Sequence, residues 1–238
     1  MLEFLIITVL FSEVPGYLTQ EDMTGQVFLF PEESDNSYVK LQPEKNGPFG
    51  GLSICLRYYS LLTREFSLFS LATSSMDNDF LLFYCPQCDQ HFEVSVGGRD
   101  LSYNLKERND AEWRSVCASW DSSSGVVELW INGKPYPRKV FQKGHVISKY
   151  PSIIIGQEQD GYGSNFNINQ SFVGEISDIH VWDTALTYQN IFDVLTYNNL
   201  TGNVINWRSL KYKAEGDNSV LRCLKRIYHN PTCNRNTV

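Results

Sequence analysis

Positive charge is in short supply. The chain carries 20 Lys and Arg against 27 Asp and Glu, a net charge of −7. An acidic domain has no broad electrostatic attraction for nucleic acid or for anionic membrane. Any anionic ligand needs a local positive centre, which a bound cation can supply. Long apolar runs are also missing. No segment approaches the eighteen residues that a membrane-spanning helix needs, so the mature chain is not expected to be an integral membrane protein. Reaction motifs are absent too. There is no Gly-x-Ser-x-Gly, His-Glu-x-x-His or phosphate loop, and the four His (His91, His145, His180, His229) are scattered. Catalysis is not expected. No internal repeat is visible.

Some features are present in strength. Aromatics reach 13% while charged residues are only 20%, a balance that suits a β-rich globular domain. From Met1 to about Gly16 the chain reads as a secretory leader. Its apolar core, Phe4–Phe11, is too short to span a bilayer. Glu3 stands where Lys or Arg is usual, and no Ala-x-Ala cleavage site is present. An N-terminal strand is the competing reading. The leader would take Glu3 and Glu13 with it. We therefore expect a secreted, extracellular domain over 17–215 and a polar, Cys-containing tail over 216–238.

Between Gln26 and Trp182 short apolar segments alternate with turns. Val27–Phe30, Tyr38–Leu41, Leu52–Leu56, Phe66–Phe69, Phe80–Phe83 and Val126–Ile131 are examples. Asn132-Gly133 between extended runs is a hairpin signal. Many strands without alternating helices predict an all-β, two-sheet antiparallel sandwich. One helix is predicted from Thr187 to about Tyr197. Tyr188, Ile191, Phe192 and Leu195 would make its apolar face, with Thr187 as cap and Leu186 as a staple on Ile191.

The most informative stretch is Gly156–Gln170. It is rich in Gly, Asn and Gln, so it reads as a loop. It carries Glu158 and Asp160, then Asn165, Asn167, Asn169 and Gln170. An oxygen-only donor set of carboxylates and amides suits a hard cation such as calcium, although the spacing is not that of an EF-hand. A solvated polar loop is the alternative. Asp77-Asn78-Asp79 is a second acidic cluster, expected on a turn before Phe80. Six Cys behind a leader point to disulfides. Cys85 with Cys88 and Cys223 with Cys233, or a cross-pairing of these four, is the expected arrangement, and bonding between subunits stays open. Asn199-Leu200-Thr201 is the expected glycan acceptor. Asn169-Gln170-Ser171 is expected to be unoccupied because a glycan there would crowd the loop.

The order of several motifs resembles the pentraxin family. Gly156-Gln157-Glu158-Gln159-Asp160 looks like its calcium loop, and Cys117-Ala118-Ser119-Trp120-Asp121-Ser122 like its second hallmark. Ser115 stands where the fuller pattern has His. Phe28–Pro31, Trp130–Pro135 and Asn206–Tyr212 follow in the same order, and the resemblance covers roughly residues 20 to 215. It implies a flattened jelly roll of lectin type, with the helix lying opposite the ligand face. It also implies one internal bridge, Cys55 to Cys117.

The resemblance further implies two calcium ions. Asp77, Asn78, Glu158, Asp160 and the carbonyl of Gln159 would hold the first. Glu158 and Asp160, with residues 167 and 170, would hold the second. Gln170 matches the family, but Asn167 replaces its usual acid. Three carboxylates then face four positive charges, which should weaken the outer ion. Phosphocholine would bridge the ions through its phosphate, with its ammonium against Phe83 and Asp100 and with Ser95 lining the pocket. Asp100 is shorter than the family's Glu at that position. A homo-pentameric ring is implied, as are complement recognition subunits and immunoglobulin receptors on the opposite face. The alternatives are a lectin preferring phosphoethanolamine or galactan saccharides, and an adhesive module that has lost calcium. Glycoside hydrolysis is not expected, because Glu158-Gln159-Asp160-Gly161-Tyr162 lacks the third acid of the strand motif used on such sandwiches.

Overall fold

The computed structural model describes residues 20–106, 111–197 and 199–222. The expected leader, Cys223 and Cys233 lie outside these residues. The first strands are β1 (Gln20–Glu21), β2 (Gln26–Phe30), β3 (Tyr38–Leu41), β4 (Gly51–Tyr59), β5 (Phe66–Thr73) and β6 (Met76–Cys85). Next come β7 (His91–Val96), β8 (Arg99–Asn104), β9 (Arg114–Asp121), β10 (Val126–Ile131), β11 (Lys134–Pro135) and β12 (Lys139–Val140). After β13 (Ser152–Ile155), β14 (Gly174–Trp182) and helix α1 (Tyr188–Tyr197) come β15 (Ile205–Asn206), β16 (Leu210–Glu215) and β17 (Ser219–Arg222).

Two antiparallel sheets form the sandwich expected from the strand pattern. One runs β1-β16-β3-β13-β5-β6-β7-β8; the other runs β11-β10-β9-β4-β14-β2-β17, with β12 on β10 and β15 on β14. Alternation decides which residues fill the space between them. Along β6, Phe80, Leu82 and Tyr84 enter the main core, while Leu81 and Phe83 belong to no core cluster and lie on the outer face. Asn132-Gly133 makes the expected hairpin between β10 and β11, with φ of +50° and +75°. β17 pairs with β2 from Ser219↔Leu29 to Arg222↔Gln26, so the sheet continues past the boundary at 215 that the sequence suggested.

Helix α1 covers the outside of the nine-stranded sheet, on the opposite side of the sandwich from Phe83. Thr187 caps it, its Oγ1 accepting from the backbone N–H of Asn190 at 3.2 Å. Leu186 packs in the same cluster as Ile191, as the staple requires. The buried face differs from the expected one. Ile191, Val194 and Leu195 pack against Cys55, Cys117, Trp130 and Trp182. Tyr188 and Phe192 are 52% and 39% exposed. Both apolar sets have helical spacing, and the sheet selects the one that matches the Trp130–Trp182 groove. Tyr188 still meets Trp130, with ring centres 4.8 Å apart and planes inclined at 59°.

Cys55 and Cys117 are bridged across the paired strands β4 and β9. Closing a loop with a sequence separation of 62 stabilises the fold by about 4 kcal/mol in the chain-entropy account. Cys85 and Cys88 are bridged at the β6–β7 hairpin. Among the described residues no helix is long and apolar enough to cross a membrane.

His180, on β14, gives the fold a defined acid sensitivity. Its Nδ1 accepts backbone N–H bonds from Gly202 and Trp207, both at 3.3 Å. Burial, with Arg208 adding repulsion, lowers its pKa to about 3. The unfolded chain therefore binds a proton that the folded chain refuses. Stability from this group is complete above pH ~6.5 and drains away as pH falls toward ~3. We expect the urea midpoint to fall across that window, and to fall less steeply in His180→Asn. Equal slopes in the two proteins would remove His180 as the cause.

Candidate functional site

Two glutamines fasten the 156–170 loop, Gln157 to the β2–β3 connection and Gln159 to the eight-stranded sheet. Gln157 Nε2 donates to the carbonyls of Ser34 at 2.6 Å and Ser37 at 3.1 Å. Gln159 Nε2 donates to the carbonyls of Ser70 and Ser152, and its Oε1 accepts from the backbone N–H of Gly163. Both side chains are fully buried. Between and beyond these two anchors the chain leaves β13 in bends at 156–157 and 160, and it carries Glu158 and Asp160.

Asp77-Asn78-Asp79 does not sit on a turn. The three residues are part of β6, and the β5–β6 turn is made by Ser74 and Ser75. The apolar run starting at Phe80 hid the strand's polar beginning. Asn78 Nδ2 donates to Glu158 Oε1 at 2.7 Å, joining the two acidic stretches. Glu158 is only 4% exposed. Its carboxyl is raised from the ordinary range, first by burial and then by the negative charges of Asp160, Asp77 and Asp100; the Asn78 bond offsets part of this. Asp79 turns the other way and takes His145 Nε2 at 2.6 Å and Thr73 Oγ1 at 2.9 Å.

In β6 and the 156–170 loop four buried side-chain oxygens accept no hydrogen bond: Gln157 Oε1, and, on predicted ligand residues, Asn78 Oδ1, Glu158 Oε2 and Gln170 Oε1. A buried acceptor without a donor is costly. A hard cation satisfies such oxygens, and amide and carboxylate oxygens serve it equally as ligand types. The donor set therefore fits calcium. Among the described residues no three His, Cys, Asp or Glu side chains converge closely enough to hold a metal by themselves, so amide and carbonyl oxygens would have to complete the shell.

Asn167 is placed differently from Glu158. It is exposed, and its Oδ1 caps the 3-10 turn Ile168–Gln170, accepting from the backbone N–H of Asn169 at 3.1 Å. Arg64 clamps that turn from below. Its Nη1 donates to the carbonyls of Asn169 at 3.1 Å and Ser171 at 2.7 Å, while Nε meets Glu33 at 2.9 Å. Nη2 reaches the Ser171 hydroxyl at 3.2 Å. Arg64→Ala would leave those carbonyls unpaired, a loss of about 2 kcal/mol. We expect the calcium-free melting temperature to fall by about 4–8 °C, with only partial recovery in Arg64→Lys, which lacks the fork. An unchanged melting curve would show that the turn holds without the clamp.

The remaining predicted residues share the outer face of β6–β8. Leu81 lies opposite Ser95, and Phe83 opposite Glu93. Ser95 in turn lies opposite Asp100 and donates to its Oδ1 at 2.6 Å. Asp100 is exposed, and its charge reaches Glu158, which links this face to the acidic loop. Phe83 is covered down to 7% exposure. Sequence reasoning missed Gln157, Arg64 and Glu93 as parts of this region. The alternation of Gln157 and Gln159 about Glu158 was a usable signal for the first. Arg64 offered none, because its partners Glu33, Asn169 and Ser171 are distant in sequence; Glu93 depends on the register of neighbouring strands.

Comparisons with known proteins agree with this architecture. The model of the Pentaxin family matches residues 26–222. C-reactive protein of Xenopus laevis is 49% identical over 211 residues, covering 87% of each chain. C-reactive protein of Homo sapiens is 40% identical, covering 91% of this chain and 95% of its own. A native heptameric SAP-like pentraxin from Limulus polyphemus superposes with a TM-score of 0.79 at 27% identity, covering 90% of this chain and 99% of that one. A match across nearly the whole sandwich, at this identity, means that the chain belongs to the pentraxin family.

Proposed function

We propose that this is a secreted, calcium-dependent recognition protein of innate immunity, without enzymatic activity, that binds phosphocholine-like groups on microbial or damaged-cell surfaces. The observation that carries the reading is the trio of partnerless buried oxygens on Asn78, Glu158 and Gln170, beside the outer face that holds Phe83 and Asp100. Asp77, Asn78, Glu158, Asp160 and the Gln159 carbonyl would hold one calcium. Glu158, Asp160, Asn167 and Gln170 would hold the other. When bound, the ions supply the positive charge that an acidic chain lacks and that a phosphate requires. Phe83, Ser95 and Asp100 receive the ammonium end, where an aromatic face and a carboxylate attract a cation. A ring of identical subunits, which we take to be a pentamer, multiplies weak single-site affinity. Its helix-bearing face is then free for complement recognition subunits and immunoglobulin receptors.

The test is retention of the mature protein on immobilised phosphocholine in millimolar calcium. Release by chelator and by free phosphocholine is the expected result. Failure to bind at any calcium level sinks the reading and leaves a calcium-independent adhesive module. Asn167→Asp probes the outer ion separately. Aspartate keeps the cap on the 3-10 turn and adds a charged oxygen. Calcium titration by calorimetry should show about tenfold tighter binding of the weaker ion. Unchanged affinity would mean that residue 167 is not a ligand.

A further inference from the structure

The β6–β7 hairpin carries the second disulfide, Cys85–Cys88, and beside it a histidine and a carboxylate that the reading above does not employ. Phe92, Val94 and Val96 of β7 enter the core, so His91 and Glu93 leave the sheet on its outer face. Cys85, two residues beyond Phe83 on β6, shares that face. It stands directly opposite His91 in the β6–β7 register, and side chains so paired lie about 5 Å apart. Glu93 Oε1 meets His91 Nε2 at 3.0 Å. With its Nε2–H donated to Glu93, the ring keeps Nδ1 as its basic nitrogen, and among the described residues Nδ1 makes no hydrogen bond. Sulfur beside an imidazole that a carboxylate orients is an arrangement that activates sulfur.

The bridge adds little as a staple. Its sequence separation is 3, against 62 for Cys55–Cys117, so it constrains the unfolded chain about half as much. The hairpin also has its own fastenings. Gln90 Nε2 donates to the Pro86 carbonyl at 2.8 Å, and the Tyr84 hydroxyl donates to Gln90 Oε1. The Gln87 N–H donates to the Thr63 carbonyl at 3.1 Å, and the Leu105 N–H to the Gln90 carbonyl at 3.0 Å. These bonds keep the two sulfurs close when the bridge is open. Access is one-sided: Cys88 is exposed, whereas Cys85 is 4% exposed. An incoming thiol therefore meets Cys88, and Cys85 is the leaving sulfur beside His91. Cys55 and Cys117 are buried beneath α1.

We propose that Cys85–Cys88 is a thiol–disulfide exchange site, with His91 as its proton-transfer residue and Glu93 as the residue that positions the ring. A thiol, RSH, gives its proton to His91 Nδ1, and its sulfur attacks Cys88 Sγ. The Cys85–Cys88 bond breaks, its electron pair goes to Cys85 Sγ, and His91 returns the proton there. A second RSH attacks the R sulfur of the mixed disulfide, forming RSSR, and its proton ends on Cys88. Two thiols are oxidised to one disulfide while the bridge is reduced to two thiols. The same steps in reverse, with RSSR as oxidant, close it again.

The test incubates the full mature chain with glutathione, quenches with acid and alkylates the free thiols. Peptide mass mapping then reads each cysteine separately, Cys223 and Cys233 included. Glutathione on Cys88, alkylated Cys85 and an intact Cys55–Cys117 bridge are the expected early products. This measurement needs no variant. A bridge that stays closed, glutathione on Cys85, or Cys55–Cys117 opening at the same rate overturns the proposal. His91→Gln, at an unchanged melting temperature, should slow opening about tenfold. That is less than a general acid usually contributes, because a thiolate already leaves readily. Glu93→Gln should slow it by a smaller factor, and Glu93→Asp should recover part of the loss. An unchanged rate in His91→Gln overturns the proposal, leaving an exposed bridge without machinery. A second arm replaces glutathione with a reduced, unfolded protein. Faster opening by glutathione supports a small-molecule thiol as the partner, and faster opening by the unfolded chain supports a polypeptide thiol.

Discussion

Glu158→Gln is expected to abolish calcium-dependent retention on phosphate-ammonium ligands and to leave the calcium-free fold at least as stable. The two effects have opposite signs for one reason. Glu158 is buried, and ionising it there is unfavourable, which raises its pKa. A raised pKa means that its contribution to stability is complete below the unfolded-state value and is lost as pH climbs through the folded-state one. An ionised carboxylate in that place therefore weighs against the calcium-free fold. Glutamine removes that charge and keeps an oxygen to accept from Asn78, whose bond at 2.7 Å ties β6 to the loop. Both proposed ions share Glu158, so its neutralisation weakens both together. Filling one site to ten times its dissociation constant stabilises the native chain by about 1.4 kcal/mol. That corresponds to about 3–6 °C in a domain of this size. The native chain should gain that shift on adding millimolar calcium, and the variant should not. A calcium shift of equal size in Glu158→Gln would place the ion elsewhere.

Gly156→Ala should produce the largest loss of stability among single substitutions at the site. Gly156 has φ +89°, a conformation that an L side chain adopts only with strain. A Cβ there would stand 2.2 Å from Phe30 Cε1. Phe30 cannot give way easily, since it is fully buried and packs edge-on against Phe172 at 5.5 Å. The carbonyl of Gly156 also accepts from the Phe172 N–H at 2.9 Å, closing the base of the loop. Backbone strain and overpacking together amount to about 3 kcal/mol. We expect a fall of about 6–12 °C in melting temperature and loss of calcium-dependent retention, because displacement at 156 moves Gln157 through Asp160. A variant that melts normally and still binds would show that the loop is set by its glutamine anchors alone.

Much of this was legible in the chain. The strands Tyr38–Leu41 and Val126–Ile131 appear as read, because local alternation and turn residues suffice to define them. The cap at Thr187 is equally local. The 156–170 segment declared itself by composition. Other features were not legible, because they depend on which segments meet. Asp77-Asn78-Asp79 looked like a turn, since it sits where the β5–β6 register shifts between Thr73↔Met76 and Leu71↔Phe80, an irregularity that no local pattern announces. The helix offered two apolar faces, and only the groove beside Trp130 and Trp182 chose between them.

The class of fold, the family pattern and the oxygen-rich donor set are thus written in the order of residues alone. These follow from periodicity, turn chemistry and residue type, which act over a few neighbours. The tertiary structure decided the rest. It buried Glu158 beside Asn78 across eighty positions of chain and clamped the 168–171 turn with Arg64. It also set Glu93 against the covered face of Phe83. Each of these outcomes depends on strand register and on burial, and both exist only once distant segments have packed.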